Sequence, residues 1–191
     1  STFVRAVLTA TAIAIGTGVA LGLFQTLGLA AEGGGNREDY GAVLQCLAAF
    51  LACSGFCVMY NVHGWGVVLC CLGGALGWAV YLAMGMVTGS IYLRYLVAGI
   101  AIAAYAEAMA RVRKYPITAY LVVSFFPLVP GSYIYYAMYY AIQGQRQLFL
   151  ESGIQALGLA SCLAIGTLLV STTVRTCVTW RRERRMKRDT L

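Results

Sequence analysis

Charge is what this sequence has least of. Only 11% of its 191 residues are Asp, Glu, Lys or Arg, against about 25% in soluble domains. With 60% hydrophobic residues and a mean hydropathy of +0.75, the chain is excluded from the soluble globular class. Histidine is nearly absent: His63 is the single one. It completes no zinc set, and none of the seven cysteines falls in a Cys-x-x-Cys pair. No Walker sequence and no nucleophile–histidine–acid set is present, and one histidine with one deep acid gives little for general acid–base work. The expectation is a protein that is not an enzyme and holds neither cofactor nor metal. Proline is scarce too, with only three, yet Pro127 and Pro130 stand three residues apart.

What the chain does have is long apolar runs, several beyond the ~20 residues that cross a bilayer. They predict an all-α, polytopic membrane helix bundle with about six spans, near residues 6–31, 41–62, 66–87, 92–112, 117–143 and 152–174, followed by a basic tail at 181–191. The run Ala6–Ala31 is too long for a signal-peptide core and reads as a retained helix. Small residues recur at helical spacing in several spans: Ala10, Ala14, Gly18 and Gly22; Gly73 and Gly77; Gly158, Cys162 and Gly166. Such steps let helices approach closely. Cys46, Cys53, Cys57, Cys70, Cys71 and Cys162 lie inside apolar runs and read as small packing residues. Cys177, at the tail junction, is a candidate for acylation.

The net charge of +7 is concentrated: seven of the fourteen Lys and Arg lie between Arg175 and Arg188. An even number of spans puts both termini on one side. Arg5, the Arg111–Lys114 loop and the tail then share the cytoplasmic side, and the acidic Glu32–Asp39 loop lies outside.

The fifth span carries Phe126-Pro127-Leu128-Val129-Pro130-Gly131-Ser132-Tyr133 at its middle. Each proline removes a backbone donor and clashes with the carbonyl four residues back. The residue before each is pushed out of helical geometry, and glycine tolerates conformations that others resist. Two half-helices meeting at a break are expected. In hydrocarbon a break is tolerated only inside protein or beside a wet cavity, and many transporters place substrate there. The amides of Gly131, Ser132 and Tyr133, at the positive end of the second half-helix, suit a carboxylate. A proline kink that only shapes packing is the competing reading.

Other candidates carry two readings each. Glu107 is the deepest acid, and an intramembrane acid is a functional candidate; it also stands four residues from Arg111, within ion-pair reach. His63 can carry protons or be an exposed loop residue. Tyr133, Tyr136 and Tyr140 share a helical face, which reads as a cavity wall or as bundle packing; a buried hydroxyl there needs a partner.

At these residues the chain resembles a known family. Gly55-Phe56-Cys57-Val58-Met59-Tyr60-Asn61-Val62, Leu72-Gly73-Gly74-Ala75-Leu76-Gly77-Trp78, Ala106-Glu107-Ala108-Met109-Ala110-Arg111 and, above all, Phe126-Pro127-Leu128-Val129-Pro130-Gly131-Ser132 with Tyr135 and Ala137-Met138 carry the likeness. It is similar to the small subunit, or C-terminal membrane half, of the threonine/serine exporter family, over about Gly41 to Arg175. The resemblance implies export of small carboxylate-bearing metabolites, either threonine and serine or succinate-type dicarboxylates, driven by the proton gradient. It also implies a larger membrane subunit as partner and a bacterial inner membrane as location. On that reading, substrate meets Pro130, Gly131, Ser132, Tyr133 and Tyr136, with Asn61 a further contact. Glu107 and His63 are the candidates for proton coupling.

Two features depart from the smallest relatives: the first span is additional, and the loop Val62-His63-Gly64-Trp65 is neutral where a basic one is common. A structural or assembly subunit, and a passive channel for neutral solutes, are the rival functions.

Overall fold

The computed structural model describes residues 41–189 apart from 61, 114 and 115, together with positions 4, 7, 11, 15, 16 and 19. The first expected span and the Glu32–Asp39 loop, and likewise Asn61, thus lie outside the described residues, save for the helical positions 7, 11, 15, 16 and 19 in the span. The unit from Gly41 onward is described by itself.

Six α-helices and one 3-10 turn follow in order: α1 (Ala42–Met59), α2 (Trp65–Val87), α3 (Ile91–Arg113), α4 (Ile117–Phe125), the 3-10 turn (Phe126–Leu128), α5 (Gly131–Ile142) and α6 (Arg146–Asp189). No strand occurs among the described residues. Apolar side chains surround most of these helices, as in helices that meet lipid on one side and protein on the other. Four of them (α1, α2, α3 and Arg146–Trp180 of α6) are long and apolar enough to cross a membrane. The pair Tyr120–Leu128 and Gly131–Ile142, bent by 58° at the proline break, makes a fifth when counted as one span. The discontinuous fifth span expected from Pro127, Pro130 and Gly131 is therefore present.

The turns have local causes. Gly64 holds φ at 65° between α1 and α2, a conformation that resists any residue with a Cβ. The α2–α3 turn is tied by Arg94, whose Nε donates to the Thr88 carbonyl at 3.0 Å and whose Nη2 donates to that of Gly85 at 3.3 Å. A cation bonded to the last carbonyls of a helix also complements its dipole. Gly144, at φ 71°, ends α5. The polar connection expected over Gln143–Glu151 is shorter than its composition suggested, because α6 already starts at Arg146. This helix has 44 residues, or about 66 Å at 1.5 Å per residue, and it runs on through the basic segment.

α2 lies at the centre, packed on α1, α3, α4 and the 3-10 turn, while α6 packs on α3 and α5. Two buried clusters divide the core. One joins Cys53, Cys57, Cys70, Cys71, Ala106, Tyr120 and Val123 near the Arg111–Arg113 end. The other joins Tyr95, Ala98, Ile102, Leu128 and Leu159. The break separates them: Val123 belongs to the first and Leu128 to the second.

Candidate functional site

Each proline of the break leaves a carbonyl without its helical amide, and the chain meets each differently. Pro127 cannot donate to Val123, so the amide of Phe126 turns back to that oxygen, giving the tighter 3-10 geometry. Pro130 cannot donate to Phe126, and the Val129 amide takes its place at 3.2 Å. Val129 is extended, with φ −61° and ψ 128°, as expected before a proline. The Gly131 amide bonds the Val129 carbonyl at 2.7 Å, so it is not free as the sequence suggested. The first helical bond of α5 runs from the Ile134 amide to the Pro130 carbonyl at 3.2 Å. The amides of Ser132 and Tyr133 precede it, in the turn that has no intrahelical acceptors, and no side chain caps this end. Gly131 is helical, and a Cβ there would meet nothing within 4 Å. Its glycine therefore leaves open space beside the half-helix and serves no special conformation.

One side of the break is sealed. The ring of Pro127 would lie 3.4 Å from a Cβ placed on Gly74, and Leu128 would lie 3.6 Å from one on Gly77. The glycines of α2 make room for this turn. The Gly73–Gly77 step, read from sequence as a helix contact, receives side chains instead: Ser124 and Tyr105 at Gly73, Ile102 at Gly77. Ser124 is fully buried and donates to the Cys70 carbonyl at 3.1 Å. The Tyr105 hydroxyl donates to the Leu69 carbonyl at 2.8 Å. The Cys53 thiol donates to the Val123 carbonyl at 3.4 Å. Phe56 stacks on Phe126. Close backbone approach does occur between α3 and α6, where Gly166 meets Leu96 and Ile100.

The other side is open. Val129 is 47% exposed, Tyr136 50% and Tyr135 64%. Beside it runs an apolar groove of about 420 Å³, walled by Leu121, Val129 and Ile134 on one flank and by Ala156, Ala160 and Ala164 on the other. Thr167 brings a hydroxyl to the groove, but it already donates to the Ala164 carbonyl at 2.7 Å. A carboxylate finds no spare donor along those walls.

The expected site residues are thus only partly gathered. Pro130, Gly131, Ser132 and Tyr133 are contiguous at the start of α5. Pro130 is buried and Tyr133 packs on the core cluster of Tyr95 and Leu128. Tyr136 is turned outward and stacks on Tyr140 at 6.2 Å between ring centres; Tyr135 and Tyr139 extend this exposed array. Glu107 lies five residues past Ile102 along α3, about 7.5 Å of helix rise, toward the Arg111–Arg113 end. It is paired with Arg111 at 3.5 Å. His63 is exposed in the α1–α2 turn.

Among the described residues no group of three His, Cys, Asp or Glu side chains can hold a metal. Sequence reasoning passed over Ser124 and Tyr105 and read Cys53 as a packing residue alone. A signal existed for Ser124, a hydroxyl in an apolar run one turn before a proline, but its acceptor is 54 positions away.

The family profile described as "Threonine/Serine exporter, ThrE" matches residues 45–173. The chain belongs to the threonine/serine exporter family. No curated protein and no solved structure matches the chain. The matched range takes in the whole break, α2 and α3, and all but the first residues of α1 and the last of Arg146–Trp180. This is therefore a membrane protein of a transporter family.

Proposed function

We propose that this chain is the membrane half of an exporter for small carboxylate-bearing metabolites, threonine and serine or succinate-type dicarboxylates, coupled to the proton gradient. The observation that carries the reading is the break at the middle of the fifth crossing, with an uncapped half-helix start and open space at Gly131. Backbone amides at such a start favour an anion through both hydrogen bonding and the helix dipole. The substrate carboxylate meets the amides of Ser132 and Tyr133, and the Ser132 hydroxyl supplies a further donor. Pro130 and Gly131 set the approach, with Tyr136 as an outer contact and Asn61 as a further candidate. Glu107 exchanges the coupled proton, being the one acid within the described spans before Glu151, and His63 is the second candidate. The larger membrane subunit implied by the resemblance covers the open side. The location is a bacterial inner membrane with both termini cytoplasmic, supported by Arg111 and Arg113 at the same end as the Arg175–Arg188 segment.

Efflux from cells loaded with labelled serine, threonine or succinate tests this, with the chain expressed alone and with a candidate larger subunit. The variant Pro130→Ala/Gly131→Ala should abolish efflux while inserting normally. Normal efflux by that variant would remove the site assignment. Export that continues against a gradient in the presence of a protonophore would remove the proton coupling.

A further inference from the structure

The hydrogen bonds of the broken span single out one of the buried thiols. In an intact helix the Val123 carbonyl would accept the amide four residues on, which is the one Pro127 lacks. The Phe126 amide reaches that oxygen from within the span. A carbonyl offers two lone pairs, and a second donor arrives from another helix. Cys53 of α1, fully buried, points its thiol at the same oxygen at 3.4 Å. Its sulfur also faces Gly74, the glycine of α2 against which the Pro127 ring packs. One side chain therefore bonds the carbonyl that lost its Pro127 amide and faces the same glycine as the Pro127 ring. The next residue ties the same turn in the opposite sense, with Ser124 donating to the Cys70 carbonyl at 3.1 Å. Cys57 is the useful contrast. It is equally buried, but its thiol stands 3.9 Å from the Val67 carbonyl, inside the intact helix α2.

We propose that Cys53 is a positioning residue for the break: its thiol joins the Phe126 amide as second donor to the carbonyl that Pro127 deprives, and fixes the end of α4, so that the start of α5 is presented at the middle of the span. The consequence for transport rests on the reading of that start as the substrate site; the hydrogen bond does not.

The test is a double-mutant cycle on the full chain in detergent, read as the thermal unfolding midpoint. Cys53→Ala should lower the midpoint in the native background. In the Pro127→Ala background, where an amide is available again, the same change should lower it by less than half as much. Cys57→Ala should cost the same in both. Equal costs of Cys53→Ala in the two backgrounds would overturn the proposal.

A second measurement needs no proline variant. The S–H stretching band of Cys53, obtained by difference from Cys53→Ser, should be displaced to the lower frequency of a hydrogen-bonded thiol; a band at the free-thiol position overturns the proposal as well. In the efflux assay Cys53→Ser should keep the native rate, because a hydroxyl also donates. Cys53→Ala should lose turnover severalfold at an unchanged amount of inserted protein. Native turnover by Cys53→Ala would end the positioning role. It would leave the site at Ser132 and Tyr133 standing, which the Pro130→Ala/Gly131→Ala variant tests separately.

Discussion

The two faces of the break in the fifth span are built on opposite rules. The face toward α2 is closed: Pro127 and Leu128 sit on Gly74 and Gly77, Ser124 is wholly buried, and each buried side-chain donor among the described residues has a partner. The face at Val129 and Gly131 is open, bounded by an apolar groove and by tyrosines. A backbone interruption in a membrane must be satisfied inside protein. The closed face does that with glycines that admit side chains and with hydrogen bonds to two other helices, from Cys53 of α1 and to the Cys70 carbonyl of α2. The open face carries the uncapped start of α5, where the proposed site lies. The contrast separates what holds the break from what uses it.

The sharpest way to break the comparison is to add bulk on each face. Gly77→Val should collide with Ile102 and Leu128, costing about 3 kcal/mol or more from overpacking. Little monodisperse protein should survive detergent size-exclusion chromatography, and a native-like yield would mean the closed face is looser than described. Ser124→Ala comes next. It leaves no orphaned acceptor, since the Cys70 carbonyl lies within α2. It still removes a buried hydrogen bond, and about 1 kcal/mol should be lost in thermal unfolding. Tyr105→Phe should behave alike, its hydroxyl being bonded to Leu69.

Glu107→Gln should change stability by no more than about 0.5 kcal/mol, because its pair with Arg111 is a partly exposed i,i+4 contact. In the efflux assay the same variant should lose its response to an imposed pH gradient; an unchanged response would move the coupling role to another group. On the open face, Gly131→Ala should shift stability by under about 0.5 kcal/mol, since its Cβ would enter empty space. A large loss there would show that this face is occupied in the folded state.

Much of this was legible in the residues. The proline pair at 127 and 130 located the bend, because a missing amide and a ring clash act within a few residues wherever the segment sits. The span at Gly66–Val87 was read one residue from the observed start at Trp65, since apolar length alone sets it. The helix that holds the expected span at 152–174 begins earlier, because Arg146, Gln147 and Glu151 look like a loop in composition while the backbone is already helical. The Gly73–Gly77 step announced a close contact but not its partner. Helix packing and side-chain insertion leave the same glycine spacing in a sequence.

The sequence by itself determined that this chain crosses a membrane, where most of its described crossings lie, and that one of them is interrupted. Hydrophobic length and the chemistry of proline are local properties, and nothing distant alters them. Only the tertiary structure decided which face of the interruption is sealed. The Val123 carbonyl is met by a thiol 70 residues away, and Ser124 finds its acceptor 54 residues away. Those partners are chosen by the packing of α1, α2 and α4 around three glycines, and no spacing along the chain encodes that choice.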